Sequence, residues 1–280
     1  MSGAIVFSGI APHPPLLVPE VGGNRIEQVA DSQRALREFS RRLIDTNPET
    51  IVVISPHSPH DARAFTARST AELMGDFREF YAPGVRLTFL NDLEMLDAIE
   101  LASATEGVEL RKLDRDYPLD HGALVPLYYL HEAGLRGRVA VIGFTYQSNE
   151  KHLAFGRAIA KAAVAIHRRI ALVASGDLSH RLIVGGPYEY EPTAHLFDEQ
   201  IVNAIERGDS SAVLNIDSDL RERAGECGYR SIVIALGCAG ERVSEHEVLS
   251  YEGPFGVGYM VAVLTDSTKA ERNKELKIEN

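Results

Sequence analysis

Only two cysteines, Cys227 and Cys238, occur in 280 residues, which excludes a disulfide framework and suits a reducing cytoplasm. Their spacing is no metal motif by itself. Positive charge is also scarce: 29 Lys and Arg stand against 40 Asp and Glu, a net charge of -11. Phosphate-backbone binding needs clustered bases, so no nucleic-acid partner is expected. No run approaches the roughly 18 apolar residues of a spanning helix, and no basic segment leads into a signal core. The expectation is a soluble, non-exported cytoplasmic protein that does not engage membranes. Signature motifs are missing as well. No Gly-x-Gly-x-x-Gly follows a strand and no Walker sequence occurs, which removes the nucleotide readings. Gly-x-Ser-x-Gly is absent too, leaving no strong signal for an α/β hydrolase.

What is present is an ordinary globular composition, 45% hydrophobic and 25% charged, with length enough for one large α/β domain and a sizeable core. Residues 3–9, 50–54, 85–90 and 138–144 and the run Ile170-Ala171-Leu172-Val173-Ala174 read as strands, the apolar β-branched runs as buried parallel ones. Residues 25–45, 91–106, 123–133, 149–167, 193–207 and 229–236 read as helices, the fourth of them carrying His152 and His167 as solvated residues. Asn91 is the expected cap of the second helix, and Pro126 is expected in the first turn of the third. Ala11 to Gly23, with four prolines, reads as a rigid loop; 58–85, without clear periodicity, reads as an irregular cover over a cleft. Residues 246–251 and 257–264 read as two antiparallel strands. The fold class expected is α/β, a single domain over 1–266 with a central, largely parallel mixed sheet, helices on both faces, and a polar tail at 267–280.

Four histidines stand just past apolar runs: His13 in Ala-Pro-His-Pro-Pro, His57 in Ser-Pro-His-Ser-Pro-His, His121 in Leu-Asp-His-Gly and His180 in Ser-Gly-Asp-Leu-Ser-His. In open α/β sheets ligands bind beyond the carboxyl ends of strands, so three such strands converge on one imidazole-lined cleft. His13, His57 and a third side chain form a candidate three-ligand site with open positions, compatible with Fe(II) oxygen chemistry or with zinc hydrolysis. His121 and His180 then supply acid/base groups, and Asp120 and Asp177 lie close enough in sequence to orient those rings and fix their tautomers. His60, three residues past His57, has no counterpart in the other segments and is expected to be dispensable. Ser175, Asp177 and His180 have the residue types of a hydrolytic triad, but they fall in one short loop, whereas triads assemble from separate segments.

Ala11-Pro12-His13-Pro14-Pro15-Leu16, Ser55-Pro56-His57, Leu119-Asp120-His121-Gly122, Ser175-Gly176-Asp177-Leu178-Ser179-His180, Glu226-Cys227-Gly228 and Ser250-Tyr251-Glu252-Gly253-Pro254-Phe255-Gly256-Val257-Gly258-Tyr259 resemble, in order, the class III extradiol ring-cleavage dioxygenase superfamily. The likeness is to its LigB-type branch, similar to the dioxygenase-like domain of AmmeMemoRadiSam system proteins and related to Memo, and it covers residues 3–264. It implies His13 and His57 as Fe(II) ligands, with zinc or another divalent metal as the alternative. It also implies His180 as the acid/base and His121 as a contact to substrate or oxygen. The substrates implied are a small aromatic compound and O2, the assembly a homo-oligomer, with a functional link to AmmeMemoRadiSam proteins. The third ligand is open between Glu226, matching the glutamate of true extradiol enzymes, and Cys227, matching Memo-like proteins, with the spacing favouring Cys227. The Memo-like alternative is a metal-binding protein that does not cleave rings and takes a small molecule or peptide in the same cleft.

Overall fold

The computed structural model describes residues 4–115, 117–240 and 246–269. Among the described residues the strands are β1 (Ala4–Ala11), β2 (Thr50–Ser55), β3 (Phe65–Arg68), β4 (Glu72–Phe77), β5 (Ala82–Leu90), β6 (Leu110–Leu113), β7 (Arg138–Gly143), β8 (Arg169–Ser175), β9 (Glu247–Glu252) and β10 (Tyr259–Asp266). The helices are α1 (Pro19–Gly22), α2 (Ala30–Asp45), α3 (Leu93–Thr105), α4 (His121–Glu132), α5 (Asn149–Ala165), α6 (Ala194–Glu206), α7 (Ser210–Leu214), α8 (Ser218–Ala224) and α9 (Tyr229–Ala239). Eight strands form one sheet in the order β6-β3-β7-β2-β8-β1-β10-β9. Its centre, β7-β2-β8-β1, is parallel, while β3 runs antiparallel to β7 and β10 antiparallel to β1. This is the single α/β domain with a mixed, largely parallel sheet that the residue pattern predicts.

The strands are apolar along their length because both faces are covered. Successive side chains nonetheless divide strictly between two cores: Val52, Ile54, Leu172 and Ala174 pack with residues of α3, α5, α6 and α9, and Ile51, Val53, Ala171 and Val173 pack with residues of α2 and α4. Strands β2, β8 and β1 are neighbours, so the segments carrying His57, Asp177 with His180, and His13 all leave the sheet at the same edge of its parallel block.

Several local expectations are corrected. The proline-rich stretch after β1 contains a 3-10 turn at Pro15–Leu17 and the short α1, since proline is well placed at a helix start. Residues Gly23–Val29 are 3-10, and α2 begins only at Ala30. The stretch 58–85 is not irregular: it holds β3 and a separate two-stranded sheet of β4 and β5, with alternating exposed and buried positions that its short length obscured. Asp92, not Asn91, caps α3 by accepting from the Met95 N–H at 3.1 Å; the Asn91 amide instead donates to the carbonyls of Arg68 and Thr70. Pro126 sits sixth in α4, past the first turn. His152 is buried rather than solvated, with both ring nitrogens against the carbonyls of Ser148 and Thr145, while His167 is exposed as expected. Residues 267–269 of the expected tail are helical and 270–280 lie outside the described residues.

One close approach holds the site together. A Cβ on Gly176, just past β8, would lie 2.1 Å from the Cα of Gly228, just before α9, and backbone there cannot move aside. Gly176→Ala is therefore expected to cost about 1–3 kcal/mol or more by overpacking, lowering the thermal midpoint by several degrees, whereas Gly84→Ala, where a Cβ meets nothing, stays near neutral. Thermal unfolding of the two variants checks this, and equal midpoints would refute it.

Candidate metal centre

His13 and His57 meet above the carboxyl edge of the sheet, their Nε2 atoms 3.1 Å apart and their rings edge to face with centroids at 4.9 Å. The sulfur of Cys227 lies 3.6 Å from His13 Nε2. These three ligand atoms fall within 4.8 Å of one another, making them, among the described residues, a group that could hold a metal ion. Two ligands about 2.1 Å from one cation are separated by about 3 Å when they bind at right angles, which the 3.1 Å spacing meets. Two imidazole lone pairs at that distance repel unless a proton or a cation lies between them, so the donor set fits a metal chemically as well as sterically.

The elements explain the convergence. Pro56 ends β2 and starts the turn that presents His57, which is exposed on the cleft side. His13 follows β1, is 2% exposed, and is held at its backbone by the Asp177 carboxylate, which accepts its N–H at 2.9 Å. Its Nδ1 lies 2.9 Å from the Ser175 hydroxyl. Cys227 hangs on the loop before α9, its sulfur accepting the Asp177 N–H at 3.3 Å. Glu226 turns the other way: its carboxylate accepts the Tyr229 N–H at 2.7 Å and lies 4.0 Å from the Arg230 guanidinium, so it caps α9 rather than joining the histidines.

His121 opens α4, its ring stacked on His57 with centroids at 4.2 Å and edge-on to Phe80 at 5.4 Å. Among the described residues the Asp120 carboxylate makes no hydrogen bond to that ring, although its charge acts on it. It accepts from the Ser55 and Ser58 hydroxyls and from the Ala123 N–H, and pairs with Arg68 at 3.7 Å, so it ties α4 to the end of β2. Arg68, buried in β3, also donates to the carbonyls of Tyr117 and Pro118, which fixes the approach to His121. Sequence reasoning missed Arg68; the one signal was an arginine inside a strand. Asp177 likewise serves His13 rather than His180, its Oδ2 3.9 Å from His13 Nε2. His180 stacks on Tyr188 with centroids at 4.9 Å, and its buried Nε2 has no hydrogen-bond partner among the described residues. His60 lies apart, against Phe144 and Tyr146.

Burial dominates the electrostatics. It lowers the His13 pKa well below the usual histidine value, with the neighbouring imidazoles adding to the effect, and it lowers His121 and His180 to about 4. All three rings are thus neutral near pH 7. Burial pushes the Asp177 carboxyl up to about 7 and, together with the Asp177 charge, raises the Cys227 thiol well above its ordinary value. Ionising that thiol calls for a nearby positive charge, which a divalent cation supplies.

A cavity of about 520 Å³ opens on His121, walled by Met74, Gly75 and Phe80 of the β4–β5 hairpin region and by Leu119 and Leu124. The stretch expected to cover the cleft thus forms its side wall.

Cys227→Ser is expected to weaken Zn(II) or Fe(II) binding by tenfold or more, while Glu226→Gln and His60→Ala leave it near that of the unaltered protein and His57→Ala abolishes it. Metal content and calorimetric titration measure this. Metal lost on Glu226→Gln but kept on Cys227→Ser would assign the third ligand to the carboxylate instead.

No helix among the described residues is long and apolar enough to cross a membrane. The chain is 33% identical over 278 residues to Protein CA_C1420 of Clostridium acetobutylicum, a match covering 96% of this chain and 59% of that relative's length. It is 24% identical over 228 residues to the 4,5-DOPA dioxygenase extradiol of Beta vulgaris, covering 77% of this chain and 82% of the relative. The crystal structure of the uncharacterized protein JW3007 from Escherichia coli K12 superposes with a TM-score of 0.59 at 16% identity, over 92% of this chain and 98% of that one, a likeness of fold. The family model described as the catalytic LigB subunit of aromatic ring-opening dioxygenase matches residues 9–262, and the chain belongs to that family, within the class III extradiol dioxygenase superfamily.

Proposed function

We propose that the protein is a non-haem Fe(II) dioxygenase of the extradiol type, opening a catechol-like ring with O2 and holding its metal through His13, His57 and Cys227. The observation that carries this reading is the convergence of the three ligand atoms within 4.8 Å, beside a cavity that opens on His121. The beet relative carries the name of a 4,5-DOPA extradiol dioxygenase, which supports a catechol-type substrate for this chain. Bound Fe(II) would supply a redox-active Lewis acid with open coordination positions.

The protein's own groups have the remaining work. His180 Nε2 is buried and has no hydrogen-bond partner among the described residues, which leaves it free to take a proton from a phenolic hydroxyl and return it later. His121, neutral and stacked on His57, faces the cavity as a contact to the substrate ring or to oxygen. The Phe80 and Leu124 side chains give the cavity apolar surface suited to an aromatic ring, beside the charged Arg78, Glu79 and Arg86.

A second reading is favoured by one observation. Glu226 is engaged with Tyr229 and Arg230, leaving a thiol where extradiol enzymes of this superfamily resemblance carry a carboxylate. That supports a Memo-like metal-binding protein without ring cleavage, taking a small molecule or peptide in the same cleft.

Metal-replete protein prepared anaerobically and screened with several catechols separates the two. Oxygen uptake with a ring-opened product is the outcome expected of the first reading; stoichiometric metal with no uptake for any catechol selects the second. Where turnover is found, His180→Ala is expected to keep fold and metal and lose about 10²- to 10⁴-fold in kcat. A near-normal rate in that variant would remove His180 from the chemistry.

A further inference from the structure

In α4, the N–H of the residue at position 126 would normally bond to the Gly122 carbonyl, four residues back. Proline has no N–H, and its ring crowds that oxygen. The Gly122 carbonyl is left without its helical donor inside a buried site, and the Ser175 hydroxyl at the end of β8 donates to it instead. A serine hydroxyl has one hydrogen. With that hydrogen directed at Gly122, the 2.9 Å contact between Ser175 Oγ and His13 Nδ1 must be donated by the ring. A neutral imidazole carries one N–H, so His13 Nε2 keeps its lone pair, and that atom faces His57 Nε2 at 3.1 Å and the Cys227 sulfur at 3.6 Å. The opposite tautomer would set a lone pair against the serine oxygen. Its Nε2–H would have His57 Nε2 at 3.1 Å as an acceptor, so what excludes this tautomer is the serine hydrogen already directed at the Gly122 carbonyl.

We propose that Pro126 and Ser175 are positioning residues that lock His13 in the Nδ1–H tautomer and so keep its Nε2 lone pair directed at the ligand cluster. The order of the chain is Pro126, Gly122, Ser175, His13, and each link is needed for the next. The bearing on metal binding rests on the reading of His13, His57 and Cys227 as ligands; the tautomer itself does not.

The test uses the full chain, metal-free and labelled with ¹⁵N-histidine, with two-bond ¹H–¹⁵N correlation spectra assigning the His13 tautomer by comparison with His13→Gln. The unaltered protein should show Nδ1–H at His13. Ser175→Ala should move the ring toward Nε2–H. Pro126→Ala, which returns a helical donor to Gly122 and frees the serine hydrogen, should shift it the same way to a smaller extent. Zn(II) titration should then show about 10- to 100-fold weaker binding for Ser175→Ala and a smaller loss for Pro126→Ala. An Nε2–H ring in the unaltered protein, or the same tautomer in all three proteins, overturns the proposal. Tautomers that respond as stated in a protein that takes up no Zn(II) uphold the lock and overturn the metal reading alone.

Discussion

The contact on which the site depends is the apposition of two glycines. Gly176 and Gly228 approach so closely that neither has room for a side chain, and this draws the loop after β8 onto the loop before α9. Because the backbones touch, the Asp177 carbonyl accepts the Gly228 N–H at 2.9 Å and the Cys227 sulfur reaches His13. Without it the two histidines would still share the sheet edge, but the third candidate ligand, 214 residues from the first, would not.

Around that contact the polar groups are organised by burial. Carboxylates that stand beside histidines in the sequence are spent on scaffolding: Asp120 binds the end of β2 to the start of α4, and Asp177 grips the backbone of His13. Asp120 satisfies several donors at once, which is how a largely buried carboxylate is tolerated, whereas Asp177 takes the one His13 N–H and its carboxyl is pushed up to about 7 by burial. His13, His121 and His180, largely buried, have their pKa values lowered and stay neutral, the state required of a metal ligand or of a proton acceptor.

Much of this was legible beforehand. The apolar runs at 51–54 and 170–174 identify buried parallel strands, and a histidine just past such a run is thereby placed at the carboxyl edge, where His13, His57, His121 and His180 are found. The roles of the aspartates were not legible, because sequence proximity to His121 and His180 suggested the wrong partners; a side chain one or three residues away can point across the sheet. Nor was the β4–β5 hairpin, whose strands form their own small sheet and lack the length for a clear alternation.

The sequence by itself determined the α/β class and the edge at which the histidines gather, since these follow from periodicities set by local backbone geometry. Only the tertiary structure decided between Glu226 and Cys227 as the group facing the histidines, and which carboxylate serves which ring. Those choices turn on the direction of single side chains, fixed in part by contacts between distant segments such as the Asp177 bond to the His13 N–H, 164 residues away, and no local pattern encodes a direction set by such packing.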